Sequence, residues 1–506
     1  MFKQFADWLP DRAPLGSVGA TTARNVIPAI DGYEPVRAIG SYTDAIGAQC
    51  IGSAAFRDDA DNVYLYAGTT TKLYETSSSS WSEVTNATED YEVSSYVQWE
   101  FVQWDTDKVI ATAYYDGSET GTAVTFPQSK VMGTGNFANM ITDPVPGTTP
   151  FRAAHVCVAR DFVVFGNVEY NSVHYPNRVW WTGINDETTI TPSSVTQADY
   201  QDLQGSGKVQ RVVGGESLAI ICETNTYRYD YSGAPEIWSL TYTHNGLGTP
   251  YPWSVVSFQS SGMIWMWSRE GFVEFSPGGS VKWIGKEKVD NYFRENIEQG
   301  YAHRISAAKD HKAHRVYWAF PSIGSATGIP DKILCYDYVL EKWSLIVQNV
   351  EVLMSVATGG VTIDDAIFQI GGEHEDLDAM TISLDSPIWK AGLFQLAAFN
   401  TSHKLGVFDG DTLSAVVETE EKQLLPSRRS IVSSVRPIVD GSCSVSIGTR
   451  AKTTQSPTWV TAVTPDDTGK CDFRVNGRYH RFRITTTGEY KNLQGVDIEF
   501  SQAGDR

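Results

Sequence analysis

Short runs of apolar and aromatic residues, separated by turn-forming residues, dominate the pattern along most of this chain. In the stretch from Val63, an apolar run opens a turn and an aromatic strand returns, as VYLYAGTTTKLYE. Apolar residues within such runs alternate with polar ones or continue without interruption over strand lengths, which predicts antiparallel β-strands. The serine run after Thr76 is predicted to be a turn between strands.

This strand–turn–strand pattern recurs at intervals of roughly 50 residues, a period typical of propeller blades. The recurrences begin at Val63, Val109, Phe162, Leu218, Met263 and Val316. Because one small sheet cannot bury both of its apolar faces, we expect the units to pack radially against one another. The sequence therefore predicts an all-β protein with a β-propeller over residues 51–389. We expect six blades, or seven if the segment after Val352 supplies another.

Two regions lie outside the repeat. Residues 1–50 contain several prolines and many small residues, which predicts an extended arm that lies on a neighbour or closes the first blade. From residue 390 to 506, strands recur at about 10-residue spacing, which predicts a β-sandwich. Within it, Asn476-Gly477 predicts a type I′ hairpin between FRV and RYHRFRI.

The composition agrees with β-structure and limits the partners. The chain has 506 residues, including 43 Gly, 15 Trp, 24 Tyr and 21 Phe, a profile that favours strands. Its formal net charge is -20, which excludes strong binding of nucleic acid by phosphate neutralisation. An acidic surface can nevertheless let DNA slide past it, because phosphates are repelled.

The cysteines and the hydropathy pattern indicate a protein made in a cytoplasm. The six cysteines are far apart and form no C-x-x-C pair, so we expect reduced, mostly buried thiols. The N-terminus has no apolar run of signal-peptide length, and no window approaches the roughly 18 apolar residues of a membrane span. We therefore expect a soluble chain without a membrane-spanning segment.

The acidic residues are concentrated in two windows that contain no Lys or Arg, between Lys72 and Lys108 and between Lys342 and Lys390. One interpretation is a pair of solvated acidic loops that keep the protein soluble. The other is a negatively charged passage, for which the stretch GGEHEDLDAM supplies candidate lining residues. These candidates are Glu373, Glu375, Asp376 and Asp378.

No catalytic, cofactor or metal motif is present. G-x-S-x-G, H-E-x-x-H, the P-loop and a G-x-G-x-x-G after a strand are all absent, so we predict that the protein is not an enzyme. The sialidase Asp-box is also missing, which disfavours a propeller glycosidase. A second alternative is a receptor- or glycan-binding tail protein with Trp180-Trp181 or Trp265 and Trp267 as its platform. Core packing of these indoles is the competing interpretation.

Several stretches resemble one family of virus proteins. The leader from Trp8 to Val36, WLPDRAPLGSVGATTARNVIPAIDGYEPV, looks like the start of many bacteriophage structural proteins. The stretches VVGGESLAIICETNTYRYDYSG and SSGMIWMWSREGFVEFSPGGSVKWIGKEKVDNYF, and the final NGRYHRFRITTTGEYKNLQGVDIEF, are similar to segments of tail nozzle proteins of short-tailed phages. These are also called packaged-DNA stabilisation proteins.

The resemblance implies a virion protein below the portal and adaptor rings, made in the host cytoplasm. Members of this family form a homo-hexameric ring around an axial channel, retain packaged DNA and meet a tail needle, fibre or other distal tail protein. DNA would pass through without specific binding. The resemblance supplies no catalytic residues, and the acidic stretch after Val352 matches none of its motifs.

Overall fold

The computed structural model describes residues 1–88, 91–114, 126–141, 150–258, 262–310, 312–357 and 394–503. Over these residues the protein is built almost entirely from antiparallel β-sheets, which confirms the predicted all-β class. Helical structure in the described ranges is limited to one short α-helix and two 3₁₀ turns. They are α1 (Asp290–Asn296), Pro252–Ser254 and Gln299–Arg304. No helix in these ranges is long and apolar enough to cross a membrane.

The first 50 residues contain four short strands, followed by a series of small sheets. The N-terminal strands are β1 (Phe2–Gln4), β2 (Thr22–Arg24), β3 (Val26–Ala29) and β4 (Gly32–Pro35). Sheet 1 contains β5 (Ser53–Arg57), β6 (Val63–Gly68), β7 (Leu73–Thr76) and β8 (Ser82–Glu83). Sheet 2 contains β9 (Glu100–Trp104), β10 (Lys108–Thr112), β11 (Gln128–Val131) and β12 (Ala138–Asn139).

Sheets 3 to 5 repeat the same four-stranded order, in which each strand pairs with the next along the chain. Sheet 3 contains β13 (Phe151–Ala159), β14 (Phe162–Tyr170), β15 (Val173–Trp181) and β16 (Asp199–Asp202). Sheet 4 contains β17 (Val209–Val213), β18 (Ser217–Cys222), β19 (Thr226–Tyr231) and β20 (Trp238–His244). Sheet 5 contains β21 (Val256–Phe258), β22 (Met263–Trp267), β23 (Phe272–Phe275) and β24 (Val281–Trp283).

Sheets 6 and 7 complete the series. Sheet 6 contains β25 (Ser306–Asp310), β26 (Arg315–Phe320), β27 (Lys332–Asp337) and β28 (Lys342–Val347). Sheet 7 contains β29 (Val352–Ala357), β30 (Phe394–Phe399) and β31 (Leu405–Val407). Because β30 and β31 pair in one sheet with β29, the domain boundary predicted at residue 390 separates strands that belong together. The series of small sheets therefore extends to Val407.

The repeat seen in the sequence corresponds to the second strand of each of the first six sheets. These strands are nearly all buried, as in MIWMW of β22 and RVYWAF of β26, because neighbouring sheets cover both of their faces. Three Trp-Ser pairs lie at the start of a fourth strand or within it: Trp81-Ser82, Trp238-Ser239 and Trp343-Ser344. The serine run before Trp81 is a turn between β7 and β8, as predicted.

The first strands of successive sheets contact one another. β5 packs beside β9, β9 beside β13, β13 beside β17, β21 beside β25, and β25 beside β29. Sheets 4 and 5 are joined by a cluster of buried apolar side chains from β18, β22 and β23, including Ile221, Met266 and Phe275. β29 also contacts β5, so sheet 7 lies between sheet 6 and sheet 1.

The C-terminal part forms two facing sheets with a shared apolar core. Its strands are β32 (Val416–Glu418), β33 (Ser430–Val439), β34 (Cys443–Arg450), β35 (Thr458–Trp459), β36 (Cys471–Gly477), β37 (Tyr479–Thr486) and β38 (Leu493–Gln502). One sheet joins β36, β33 and β38, and the other joins β32, β37, β34 and β35. Val432 and Ile498 of the first sheet meet Val445 and Phe482 of the second in one buried cluster.

The hairpin predicted at Asn476-Gly477 is wrong. β36 pairs with β33, whereas β37 pairs with β32 and β34 in the other sheet. Neither Asn476 nor Gly477 has a positive φ, so the dipeptide does not form a type I′ turn. The chain instead crosses between the two sheets here, because Val475 on one side and Phe482 on the other both contribute to the shared core.

The N-terminal arm pairs with its own chain. β1 pairs with β38, and Tyr33 of β4 is the Cα partner of Leu493 in the same strand. β2 lies between β28 of sheet 6 and β32, so sheet 6 and one C-terminal sheet become a single nine-stranded sheet. The arm therefore neither closes sheet 1, which begins at β5, nor leaves these strands free to cover a neighbour. It links the two halves of the molecule.

All six cysteines are buried and unpaired, and the prediction of buried thiols is confirmed. Burial raises the pKa of Cys222 to about 12 and that of Cys335 to about 11. Because the thiolate is the reactive form, these cysteines are inert packing residues.

His480 makes the stability of the C-terminal sheets depend on pH. The residue is fully buried, and neither ring nitrogen has a hydrogen-bond partner in the described ranges. Burial lowers the pKa of His480 to about 4, from 6.5 in the unfolded chain. The stability that the neutral ring contributes is therefore complete above pH 6.5 and is lost as the pH falls towards 4. At pH 4 we expect a loss of about 3 kcal/mol.

Urea unfolding at several pH values between 7 and 4 measures this effect, with His480→Leu as the test variant. The variant should lack that part of the acid destabilisation. His314→Gln is the control, since His314 lies in an exposed turn. Equal pH profiles for wild type and His480→Leu would refute the assignment.

Candidate functional site

The turns between the first and second strands of the sheets lie at one end of the structure. The ends of β5 and β9 are adjacent, because Gln103 Nε2 donates to Arg57 O at 2.6 Å. The turns of sheets 3 and 4 are adjacent too, since Arg160 N donates to Gly215 O at 3.0 Å. Between sheets 6 and 7, Ser355 Oγ donates to Lys309 O at 2.6 Å. The same ends of the first strands therefore meet at one face.

Carboxylates are concentrated at this face, which we call the acidic end face. It comprises Asp58, Asp59, Asp61, Asp105, Asp107, Asp161, Glu216 and Asp310, from the turns of five sheets. Most of these side chains are exposed. Hydrogen bonds from the Asn62 side chain and from backbone N–H groups lower the pKa of Asp58, so it stays ionised. Cations lie in these turns as well: Arg57 is 3.8 Å from Asp61 and Arg160 is 3.2 Å from Glu216. Lys108 and Lys312 belong to the same turns, and Lys108 pairs with Glu187 at 2.6 Å.

The predicted passage-lining residues Glu373, Glu375, Asp376 and Asp378 lie outside the described residues. Their segment, 358–393, is inserted between β29 and β30. Ala357 and Phe394, which flank it, are Cα partners. The segment therefore starts and finishes where the first strand of sheet 7 passes to the second, at the acidic end face.

Three other acids of the two windows are paired with basic side chains, Glu75 and Glu351 inside the fold and Glu83 at the surface. Glu75 is buried, forms an ion pair with Lys130 and accepts a hydrogen bond from Gly133 N at 2.6 Å. Glu83 pairs with Lys72 at 2.6 Å. Glu351, also buried, contacts His403 Nδ1 at 2.6 Å. Glu75 and Glu351 are therefore not free to line an open passage.

A cavity of about 120 Å³ lies where the first strands converge. Residues of β5, β9, β17, β25 and β29 line it, together with the 3₁₀ turn that precedes β21. Trp99, Trp253 and Arg211 are among the side chains that line it. Since one water occupies about 30 Å³ of liquid, the cavity holds roughly four water molecules. A cavity of this size is too small for a nucleic acid strand.

A charged cluster from three sheets lies at the cavity: Glu100 and Arg211 line it, and His155 contacts Glu100. Glu100 Oε1 is 3.1 Å from Arg211 Nη2, and Oε2 is 3.1 Å from His155 Nδ1. The Arg211 guanidinium lies 4.8 Å from the centroid of the Trp253 ring. Its Nη1 is buried and has no hydrogen-bond partner among the described residues.

Local strand structure positions these side chains. Glu100 opens β9, His155 lies in the middle of β13, and a register shift between Val209 and Arg211 bends β17. The cluster ties the first strands of sheets 2, 3 and 4 together beside the cavity. Sequence reasoning missed it, because the residues are more than 50 positions apart and share no motif.

The indoles considered as a glycan platform are all core residues. Trp180, Trp181, Trp265 and Trp267 are each at most 5% exposed. Trp180 Nε1 donates to Ile190 O at 2.8 Å, and Trp267 packs against Phe272 and Phe293. The interpretation that places a ligand on these rings is therefore wrong.

Metal chemistry finds no support in the part of the chain that the structure describes. No group of three or more His, Cys, Asp and Glu side chains there could hold a metal ion. His314 lies in a turn before β26 with a positive φ of 57°, as a polar turn residue.

Comparison with known proteins adds little. No family model matches the sequence, and no curated protein matches it. A solved structure of a functionally unknown protein from Desulfotomaculum acetoxidans DSM 771 is 11% identical, with a TM-score of 0.33, over 60% of this chain and 90% of that one. An exo-β-1,3-galactanase from Phanerochaete chrysosporium is 10% identical, with a TM-score of 0.26, over 92% of this chain and 100% of that one. Such low similarity carries no argument about activity.

Proposed function

We propose that this protein is a structural component of a short-tailed phage virion, a tail nozzle whose copies form a ring below the portal and adaptor. Its seven small sheets form a closed seven-bladed β-propeller, and the two C-terminal sheets form a β-sandwich. The contact of β29 with both β25 and β5 supports closure of the ring of blades. Seven blades then replace the six that the regular repeat predicts.

The observation that carries the function is the acidic end face. Carboxylates from the turns of five sheets lie together there, and the segment with Glu373, Glu375, Asp376 and Asp378 is inserted at the same face. A surface of this charge repels phosphates, so DNA that moves along it is not captured. This property suits a passage that retains DNA under pressure and then releases it.

The passage lies between copies of the chain. The cavity among the first strands has room for only a few water molecules, so DNA requires a wider channel. A ring with closed rotational symmetry provides such a channel when each copy turns its acidic end face inward. The resemblance to nozzle proteins sets the expected number of copies at six.

Electron microscopy of a reconstituted assembly tests the proposal. The full chain, mixed with its cognate portal–adaptor complex, should give ring-shaped particles of six copies in negative stain. The same chain mixed with an unrelated portal is the control. Absence of any ring-shaped assembly with the cognate complex would overturn the nozzle function.

Charge reversal tests the role of the acidic end face. We expect wild-type protein to leave double-stranded DNA unshifted in a gel at low salt. The triple variant Asp59→Lys, Asp107→Lys, Asp161→Lys should retard it, since local cations release counterions from the duplex. The control carries three reversals on exposed C-terminal positions: Asp467→Lys, Asp472→Lys and Glu489→Lys. Equal retardation by both variants would mean that this face has no special role.

A further inference from the structure

A cleft lies beside the turn between β22 and β23, at the end of sheet 5 opposite to its β21–β22 turn. It has a volume of about 490 Å³, within the usual range for small-molecule sites. One wall is the outermost strand of sheet 5, and the other is the N-terminal arm together with helix α1. The cleft is therefore complete only because the arm folds back onto its own chain.

An exposed indole lies on the wall of the cleft. Trp283 ends β24 and is 36% exposed, although Trp side chains are usually well buried. β24 pairs with β23 on one side only, so no further strand of sheet 5 lies along the other edge of β24. An indole in this position offers a flat apolar surface to a ligand.

The charged groups of the cleft nearly cancel. Carboxylates are supplied by Asp11, Glu270, Glu287 and Asp290, and cations by Arg12, Lys286 and Arg294. A strongly anionic or cationic ligand would meet repulsion from one of these sets. A neutral ligand with many hydroxyl groups can donate to the carboxylates and accept from the cations.

Part of this polar lining is held rigidly. Asp290 Oδ1 accepts a hydrogen bond from Phe272 N at 3.0 Å, and the carboxylate lies against Gly271 and Gly285. A side chain at either glycine would collide with it. Burial raises the pKa of Asp290 to about 6. At neutral pH, which is above this pKa, the carboxylate is mostly ionised and can accept a hydrogen bond from a ligand hydroxyl.

Other groups are fixed or available. Asp11 accepts hydrogen bonds from Asn291 N and Tyr292 N at 2.8 and 2.7 Å, so the start of α1 is already capped. Arg294 lies 5.3 Å from the centroid of the Trp267 ring and donates to Glu270 O. Lys286 is exposed and pairs with no described residue, so its ammonium group can bind a ligand.

We propose that this cleft binds a neutral saccharide, with one sugar face on Trp283 and hydroxyl groups on Lys286, Glu270 and Asp290. A sugar ring has an apolar face, which can stack on the indole. Its hydroxyl groups can form hydrogen bonds with the carboxylates and cations around that indole. The site goes beyond the structural role proposed above and does not depend on ring assembly.

A glycan array tests the site on the fluorescently labelled full-length chain. The array should carry neutral and acidic oligosaccharides side by side. Wild-type protein is expected to bind neutral structures, and the Kd of the best one is then measured by saturation-transfer NMR with the free oligosaccharide. Trp283→Ala should weaken this binding about tenfold or more, because the stacking surface is lost. Lys286→Ala, at an exposed position that leaves folding intact, should weaken it severalfold.

Tyr242→Ala is the matched control. Tyr242 is 44% exposed on β20, the outermost strand of sheet 4, and does not line the cleft. The Tyr242→Ala variant should bind the neutral oligosaccharide with the Kd of wild type. The proposal is overturned if no neutral oligosaccharide binds, if only acidic ones bind, or if Trp283→Ala and Lys286→Ala bind as tightly as wild type.

Discussion

Replacement of Glu100 by Gln is expected to lower the free energy of unfolding by about 4 kcal/mol, the usual cost of removing one partner from a buried ion pair. Glu100 is 6% exposed and contacts both Arg211 and His155. Gln keeps the shape but removes the negative charge, which leaves the Arg211 guanidinium uncompensated beside the small central cavity. Urea unfolding followed by circular dichroism measures the change.

A double variant separates charge from packing. Arg211→Met in the Glu100→Gln background removes the orphaned cation, so it should recover much of the lost stability. The matched control is Glu216→Gln. The Glu216 side chain is almost fully exposed, so its ion pair with Arg160 is worth at most about 1 kcal/mol. If Glu100→Gln unfolds at the wild-type urea concentration, the cluster does not stabilise the centre of the sheets.

Replacement of Ala23 by Asp is expected to destabilise the protein by a similar amount, about 4 kcal/mol, because it buries an unpaired charge. Ala23 is 1% exposed and lies in β2, between β28 of sheet 6 and β32 of the C-terminal sheets. The loss of stability should be greatest where β2 joins β28 to β32. Hydrogen exchange of Val416–Glu418 should therefore accelerate more than exchange in sheets 2 and 3.

The neighbouring residue supplies the control. Arg24 is exposed in the same strand, so Arg24→Asp introduces the same side chain where water can solvate it. Its effect should stay within about 1 kcal/mol of wild type. Equal destabilisation by both variants would show that an aspartate anywhere in β2 lowers the stability, and that the burial of residue 23 is not the cause.

The sequence was most informative about the repeated strands. Second strands such as β6 and β22 are buried on both faces, so their apolar runs stand out at a regular spacing. The same reasoning placed a turn at the serine run before Trp81. The regular spacing did not reveal sheet 7, because segment 358–393 separates β29 from β30. The interval between these two strands is therefore much longer than in the other sheets.

Local signals failed where two distant parts of the chain compete for a strand. Asn476-Gly477 has the residues of a tight hairpin, yet β36 and β37 pair in different sheets because each gains more apolar contact there. The proline-bearing arm likewise gives no hint of its partners. Its register with β38 and β32 depends on residues more than 390 positions away.

The candidate sites divide in the same way. The acidity of the turns is visible in the sequence, but their convergence at one face depends on how the first strands pack. Glu100, His155 and Arg211 are unremarkable as sequence positions, and so are Trp283 and Asp290. The indoles that looked most suitable for a ligand, Trp180 and Trp265, are buried by neighbouring sheets.

The amino-acid sequence alone determined the β class, the period of the sheets and the acidic character of the protein, because strand periodicity and charge are local properties. Tertiary structure decided the partners of each strand, the position of the arm, the closely filled centre and the cleft beside Trp283. Those features depend on contacts between residues far apart in the chain, where burial of apolar surface outweighs local turn and strand preferences.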